Sequence, residues 1–360
     1  MRYSIFGESH GPAVGVVLEG VPAGLELDLD AIRFDLSRRA PGKNALSTAR
    51  KEADEPRILS GVFQGKTTGA PLCAVMENTD ARSGDYAKTK DLARPGHADY
   101  PAHVRYGGFH DYRGGGHFSG RLTAPLVAAG AVARQLLAER GISIAAHISI
   151  IDHVYDDAFT TWSDDGADCS VIAPPEVLEA LAQKTFPVLN DEAGEQMRQR
   201  IMAAKADGDS VGGDIECAVV GLPVGLGAPD FGKNVEGIFA QHLFAIPAIR
   251  GVAFGNGFLC STDRGSEAND PLIVRNGKIV TATNNAGGVN GGITNGMPLL
   301  FTVCVRPTPS ISLPQKTVDL RTGKEVELVI KGRHDPCIVP RAVPVVEAAA
   351  ALAACQLLGL

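Results

Sequence analysis

Three consecutive glycines lie between basic residues in the segment DYRGGGHFSGR, at residues 111–121. Arg113 precedes the glycines, and His117, Ser119 and Arg121 follow them. Glycine lets a backbone come close to a ligand, and guanidinium groups bind phosphates and carboxylates through paired hydrogen bonds. The segment leads into LTAPLVAAGAVARQLLA, an apolar helix pattern, and the N-terminus of a helix favours anions. The sequence therefore predicts a cradle for a phosphate-bearing ligand at this loop.

Similar glycine-rich turns recur along the chain, which has 42 glycines among 360 residues. These turns contain histidine, arginine, asparagine and aspartate, unlike the plain Gly/Ser composition of a flexible linker. A single arginine is normally a solvated surface charge, but repeated placement beside close-approach glycines favours one shared anion site. The residues that we assign to this site are Arg38, Arg39, Arg94, Arg113, Arg121, Arg333 and Arg341, with His10, His97, His117 and His334.

Three shorter motif matches are weak. GESHG at residues 7–11 has the G-x-S-x-G form of a hydrolase nucleophile, but Pro12 and a strand pattern follow it instead of a helix. GVFQGKTTG is one residue too short for a phosphate-binding P-loop, and Ser60 stands where the first glycine belongs. GGGHFSG has Ser119 at the third glycine of the dinucleotide-binding pattern. These motifs therefore do not indicate a serine hydrolase, a nucleoside triphosphatase or a dinucleotide-binding fold.

The composition is typical of a globular protein, with 44% hydrophobic and 21% charged residues. The net charge of −7 argues against general affinity for nucleic acid. We find no apolar run of membrane-spanning length and no signal-peptide pattern, so we expect no membrane association. The seven cysteines are scattered and odd in number, which predicts a reduced cytoplasmic protein without a disulfide framework. No metal site is expected.

An internal duplication is visible in the sequence. GESHGPAVGVVLEGVPAGL aligns without a gap with GDSVGGDIECAVVGLPVGL. Repeats in the same order indicate two halves of one structural plan, which we expect to pack about a pseudo-two-fold axis within a single domain, 1–360. The halves are roughly 1–145 and 205–360, and 146–204 is an insertion. The aligned pairs are 7–25 with 208–226, 58–65 with 248–255, 69–75 with 296–303, and 121–137 with 341–358.

The predicted elements combine strands and helices. Short spacings between the strand patterns favour antiparallel pairing. DLDAIRFDLSRR is helical, with Asp28 or Asp30 as its N-cap. The helix patterns at 122–138 and 342–358 are apolar on nearly every side, and such helices are buried on every side. We therefore predict an α+β fold, a β-α-β sandwich with apolar helices between antiparallel sheets.

Over nearly its whole length the chain resembles the chorismate synthase family. The motifs that carry the resemblance are GESHG, RRAPG, NTDARSGDY, RPGHADYP, DYRGGGHFSGR, NNAGGVNGGITNG and GRHDPCIVPRAVPVVEA. The resemblance implies the last step of the shikimate pathway, a lyase reaction that eliminates phosphate from 5-enolpyruvylshikimate 3-phosphate in an anti-1,4 sense to give chorismate. It also implies reduced FMN without net redox, an external flavin reductant with NADPH as one source, a β-α-β sandwich and a homotetramer.

The resemblance also assigns roles to individual residues. It implies that His10 is an acid near the leaving phosphate, that His97 is an acid near the flavin, and that Asp335 helps flavin N5 to accept the substrate proton. The implied substrate contacts are Ser9, Arg39, Arg94, Arg121 and Arg341. The implied cofactor contacts are His117, Phe118, Ser119, Pro247, Ala248, Gly291, Arg306, Pro307, Thr308, Pro309, Ser310 and Arg333, with Arg39 at a position linked to NADPH.

The chain departs from the family pattern at four positions. Many members read GGGRSS where this chain reads GGGHFSG, so His117 and Phe118 replace an arginine and a serine. Pro247 replaces a common asparagine, and Ala45 replaces a second arginine. Two alternatives stay open beside the family function. One is another flavin-dependent redox enzyme acting on a phosphorylated anion, which would consume NAD(P)H stoichiometrically, and the other is a phosphate-ligand binder without turnover.

Overall fold

The computed structural model describes residues 1–42, 54–79, 89–161, 175–330 and 334–360. The helices in these residues are α1 (Leu29–Arg39), α2 (Asp99–Arg105), α3 (Thr123–Ala138), α4 (Pro175–Gln183), α5 (Asp191–Ala206), α6 (Val235–Phe244), α7 (Gly265–Ala268) and α8 (Val339–Leu357). The strands are β1 (Arg2–Gly7), β2 (Ala13–Glu19), β3 (Arg57–Ser60), β4 (Val62–Phe63), β5 (Lys66–Thr67), β6 (Leu72–Glu77), β7 (Ser143–Ile151), β8 (Val154–Tyr155), β9 (Gly213–Val220), β10 (Ile249–Phe254), β11 (Leu272–Arg275), β12 (Lys278–Thr281), β13 (Val289–Asn290), β14 (Ile293–Thr294), β15 (Leu299–Val305), β16 (Gln315–Asp319) and β17 (Lys324–Leu328).

Two main sheets form the β part of the fold. The first has the strand order β1-β2-β6-β3, and the second has the order β10-β15-β9-β7-β8. Every pairing in both sheets is antiparallel, as the short spacings predict. Four two-stranded hairpins complete the described strands. The mixture of helices with antiparallel strands confirms the predicted α+β class.

The two apolar helices predicted to be buried pack against each other and against different sheets. Helix α3 contacts mainly β2 and β6 of the first sheet and also reaches β7, whereas α8 contacts β7 and β9 of the second sheet. Both helices are buried along most of their length. Helix α8 begins at Val339, a few residues before the apolar pattern, because Pro340 fits the first turn of a helix, where no N–H partner is needed. None of the described helices is long and apolar enough to cross a membrane.

Helix α1 begins as its sequence predicts. Of the two N-cap candidates, Asp28 is the cap, and its carboxylate accepts hydrogen bonds of 2.9 Å from the backbone N–H groups of Asp30 and Ala31. The helix then runs to Arg39, so its last residues reach the apolar helix pair. The cap therefore fixes where α1 starts, and the helix length delivers two arginines to the interior.

A charged cluster joins α1, α3 and α8 in the interior. Glu347, on the otherwise apolar α8, is 1% exposed and accepts hydrogen bonds from Arg38 and Arg134. Asp35 on α1 pairs with the same two arginines. Burial opposes the charged form of Glu347, but the two guanidinium groups outweigh it and lower the pKa of its carboxyl group. The cluster therefore holds three helices together through charges that have little access to water.

Gly130 marks the closest approach of α3 and α8. A Cβ atom placed on Gly130 would lie 2.2 Å from Ala348 Cβ and 2.3 Å from Ala348 Cα. An alanine in a helix is normally about 1 kcal/mol better than glycine, but overpacking a core costs about 1–3 kcal/mol. The small residue is therefore required by the packing of the two backbones.

We predict that Gly130→Ala lowers the melting temperature in thermal denaturation, because the two helices must separate. Gly265→Ala is the matched control, since a Cβ atom there has nothing within 4 Å. The control should leave the melting temperature nearly unchanged. A Gly130→Ala protein as stable as the unaltered chain would contradict this account of the helix contact.

Candidate functional site

The three glycines of the DYRGGGHFSGR segment adopt backbone conformations that other residues avoid. Gly114, Gly115 and Gly116 have φ values of 60°, 99° and 54°. A Cβ atom on Gly114 would lie 2.2 Å from the His10 ring, and one on Gly115 would lie 2.9 Å from the His97 ring. The glycines therefore let one loop pass directly over both histidines that were predicted to be catalytic.

His10 is held by its neighbour in the chain. The Ser9 hydroxyl lies 3.1 Å from His10 Nδ1 and donates a hydrogen bond of 3.1 Å to the Arg113 carbonyl oxygen. A hydroxyl has one proton, so an Oγ that donates to a carbonyl accepts from the Nδ1–H of the imidazole. Ser9 is fully buried and His10 is 9% exposed. This arrangement fixes the Nδ1 side of the His10 ring.

His97 belongs to a second charged group, with Arg94 and Asp99. The Asp99 carboxylate lies 2.9 Å from His97 Nδ1 and accepts two side-chain hydrogen bonds of 2.7 Å from Arg94. Burial opposes the charged form of Asp99, but the hydrogen bonds from Arg94 and His97 outweigh it and hold the pKa of this carboxyl group well below its usual range. Asp99 therefore fixes both the arginine and the imidazole.

Arg39 and Arg121 share one buried carboxylate. Asp54 accepts a hydrogen bond of 2.8 Å from Arg39 and another from Arg121. Arg39 also donates to the Thr123 hydroxyl at 3.0 Å and to the Gly120 carbonyl oxygen at 2.9 Å. Burial lowers the pKa of Arg39 to about 10, although Asp54 acts in the opposite direction, so the guanidinium stays charged at neutral pH. Both cations are therefore fixed in place within the interior.

Asp335 and Arg341 form a third ion pair, immediately before and within the first turns of α8. Arg341 also donates a hydrogen bond of 3.0 Å to the carbonyl oxygen of Arg39. This bond joins the start of α8 to the end of α1. The ion pair before α8 is therefore directly connected to the buried group around Asp54.

A cavity of about 290 Å³ collects most of the predicted site residues. It lies where the segments that precede α3 and α8 meet the turn before β10 and the segment after β15. Its wall includes the predicted residues Arg39, Arg94, His97, Phe118, Ser119, Arg121, Pro247, Ala248, Arg306, Thr308, Pro309, Ser310, Asp335 and Arg341.

A second cavity of about 490 Å³ shares part of that wall. His117 lines this second cavity, and its Nδ1 lies 2.9 Å from the Gly7 carbonyl oxygen. Phe118, Pro247, Ala248 and Arg306 line both cavities. Two of the family departures, Phe118 and Pro247, therefore form part of the boundary between the two spaces.

Other predicted residues lie elsewhere. Arg38 pairs with Glu347 in the charged helix cluster and Arg113 pairs with Asp111, so neither arginine lines the first cavity. Ser9 and His10 are behind Gly114, which lines the first cavity, and Pro307 lies between two wall residues. Gly291 is exposed in the turn between β13 and β14 and lines neither of these cavities. Arg333, Ala45 and most of the NTDARSGDY motif lie outside the described residues.

Two of the carboxylates that hold the arginines, Asp99 and Asp54, were not predicted from the sequence. Asp99 lies inside the motif RPGHADYP, so its spacing from Arg94 and His97 could have suggested it. Asp54 gives no such signal, because it is far from Arg121 in the chain and only the fold brings them together. Ala248 was expected as a contact, but its left-handed φ of 78° was not. In the described part of the chain no cluster of three or more His, Cys, Asp or Glu residues could hold a metal ion.

Comparison with known proteins places this geometry in a family. The family model described as "Chorismate synthase" matches residues 1–358. The chain is 49% identical to a chorismate synthase of Pyrococcus abyssi over 348 residues, covering 96% of this chain and 92% of the relative. It is 48% identical to one of Thermococcus gammatolerans over 349 residues, covering 97% and 93%.

A solved structure agrees with these relatives. A chain described as a crystal structure of chorismate synthase matches with a TM-score of 0.74 at 29% sequence identity, covering 99% of this chain and 91% of that one. Because the family model spans almost every residue and these two relatives are 49% and 48% identical, the chain belongs to the chorismate synthase family.

Proposed function

We propose that this chain catalyses the anti-1,4-elimination of phosphate from 5-enolpyruvylshikimate 3-phosphate, which gives chorismate. One observation carries the proposal: the cavity that contains His97 is also lined by five arginines, four of which were predicted to contact the substrate. The substrate has one phosphate and two carboxylates, and several fixed cations in a low-dielectric site bind such an anion strongly. These four arginines are Arg39, Arg94, Arg121 and Arg341, and the fifth is Arg306, which was predicted to contact the flavin.

The three predicted catalytic residues have separate tasks in this proposal. His10, held at Nδ1 by the Ser9 hydroxyl, is the acid for the leaving phosphate. His97, held at Nδ1 by Asp99, is the acid on the flavin side. The Asp335 carboxylate, paired with Arg341, would assist the uptake of the substrate proton by a bound reduced flavin. Fixed hydrogen bonds orient all three groups before the substrate arrives, which favours catalysis by positioning.

The residues around the cavity fit a bound FMN. Arg306 Nε and Thr308 Oγ1 are buried without a hydrogen-bond partner in the described part of the chain, and both residues line the cavity. They lie in the segment Arg306–Ser310 that the family resemblance assigns to flavin contacts. When bound, reduced FMN supplies electron density transiently to the eliminating substrate and is recovered in its reduced form. The chain contributes binding, orientation and exclusion of water.

An external reductant supplies the reduced flavin in this proposal. Arg39 was linked to NADPH by the resemblance, but its guanidinium is buried and bonded to Asp54, Thr123 and Gly120. This burial supports a substrate role for Arg39. The competing hypothesis of a flavin redox enzyme requires stoichiometric consumption of NAD(P)H, so it can be separated by experiment.

We also propose the β-α-β sandwich and its internal duplication. Strand order β3-β6-β2-β1 in one sheet corresponds to β10-β15-β9-β7 in the other, so β7 occupies in the second sheet the position that β1 has in the first. Matching turns add support. Thr67 Oγ1 accepts from Leu25 N at 3.0 Å, and Thr294 Oγ1 accepts from Leu226 N at 2.9 Å. The division into halves near 1–145 and 205–360, with an insertion between them, remains part of this proposal.

A homotetramer is the proposed assembly. The hairpin β11–β12 presents Leu272, Val274 and Ile279, each more than 70% exposed. Val274 and Ile279 are directly paired across the hairpin, so they form one apolar surface. Phe231, Phe258 and Leu259 are also largely exposed. Apolar surface of this kind in a closed symmetric assembly is normally covered by another subunit.

The reaction itself provides the first test. With reduced FMN under anaerobic conditions, we expect the protein to release phosphate from 5-enolpyruvylshikimate 3-phosphate while the flavin absorbance stays that of the reduced form. Phosphate assay and flavin spectroscopy measure the two quantities together. Stoichiometric flavin oxidation would favour the redox alternative, and ligand binding without phosphate release would favour the simple binder.

The second test separates the chemical role of Asp335 from a structural one. Asp335→Asn preserves the size and turn-forming ability of the side chain but removes its basicity. We expect FMN and substrate to bind within several-fold of the unaltered protein, while turnover falls about 100-fold or more. Stopped-flow turnover and flavin titration give the two values. Normal turnover by the asparagine variant would show that Asp335 only forms a turn and has no chemical role.

The third test concerns assembly. We expect a tetrameric mass by light scattering at micromolar concentration. Ile279→Lys should shift the mass towards smaller species, because it places a charge on the apolar hairpin surface. Gln199→Lys adds the same charge on the exposed side of α5 and should leave the mass unchanged. A monomeric unaltered protein would refute the proposed assembly.

A further inference from the structure

Three buried polar atoms along the first cavity have no hydrogen-bond partner in the described part of the chain. They are Arg306 Nε, Thr308 Oγ1 and His334 Nε2. All three residues line this cavity. A buried polar group without a partner is costly to stability, and native proteins retain few of them. Their concentration in one cavity indicates that a bound ligand supplies the missing partners.

His334 differs in chemistry from the cations around it. Its imidazole is largely buried; burial lowers the pKa of the ring, and the nearby charge of Arg94 lowers it further, although Asp335 opposes this. The ring therefore stays neutral at neutral pH, with one donor and one acceptor nitrogen. A phosphate or carboxylate beside it would favour the protonated ring, and the cavity already has guanidinium groups for anions. A neutral polar group is the better match for Nε2.

We propose that His334 is a flavin-binding residue, whose Nε2 hydrogen-bonds a neutral polar group of FMN in the cavity that Arg306 and Thr308 also line. The flavin ring has carbonyl and N–H groups of this kind. The proposal rests on the proposed function, because it assumes FMN as the cofactor. It adds a residue to the contacts that the family resemblance assigns, which include Arg306 and Thr308 but not His334.

Substitutions of His334 can identify which of its ring nitrogens hydrogen-bonds FMN. A glutamine amide reaches about as far as Nε2 of histidine, whereas an asparagine amide reaches only as far as Nδ1. We expect His334→Ala and His334→Asn to weaken FMN binding about three- to tenfold, the loss typical of one neutral hydrogen bond. His334→Gln should stay within about twofold of the unaltered protein. Flavin fluorescence titration measures the affinity for oxidised FMN, and anaerobic absorbance titration measures the affinity for reduced FMN.

A structural role would have a different signature. If His334 only stabilised the loop, His334→Ala would lower the melting temperature of the FMN-free protein. We expect that temperature to be unchanged or higher, because the variant removes a buried polar atom without a partner. His110→Ala is the matched control. His110 Nδ1 is also buried without a partner in the described residues, but His110 lines neither of the two cavities, so FMN affinity should not change.

Several results would overturn the inference. Unchanged FMN affinity in His334→Ala would do so, as would recovery by asparagine but not by glutamine. A raised KM for the phosphorylated substrate with unchanged FMN affinity would assign His334 to the substrate instead. If the unaltered protein bound no FMN, the proposed function itself would be contradicted. Weakened FMN binding with normal FMN affinity in the His110 control would support the assignment.

Discussion

The cavity depends on one buried carboxylate that two arginines share. Arg39 comes from the end of α1, Arg121 from the turn before α3, and Asp54 from the segment before β3. Two guanidinium groups this deep in the interior would repel each other, and each loses its hydration. The side chain of Asp54 is fully buried, and burial opposes its charged form, but the two cations outweigh burial and lower the pKa of its carboxyl group. Without this carboxylate the two cations could not remain side by side.

Two other arginines around the cavity are also held by a carboxylate. Arg94 is fixed by Asp99, and Arg341 by Asp335, so these cations also hold their positions before any ligand binds. Groups that are already oriented in a dry site need little reorganisation during the reaction, and their charges act with greater effect than in water. These charges therefore lose their hydration when the protein folds, so this desolvation does not weaken ligand binding.

The helices contribute to the same electrostatic design. Both α3 and α8 begin at the cavity, with Ser119 and Arg121 just before α3 and Asp335 just before α8. The positive ends of two helix dipoles therefore lie near the cavity, where they favour a bound anion. Small residues such as Gly130 let these helices pack closely, so the buried helix pair brings the two loops to one place.

The sequence by itself determined the local elements and predicted the type of site. Apolar patterns on all sides predicted the buried helices, and short spacings predicted antiparallel strands, because these features depend on neighbouring residues. The cluster of glycine with arginine and histidine predicted an anion site. Only the tertiary structure decided the partners: which carboxylate holds which arginine, that Glu347 inside an apolar helix is paired, and that Nε2 of His334 is buried without a partner among the described residues. Those contacts join residues far apart in the chain, and no local pattern encodes them.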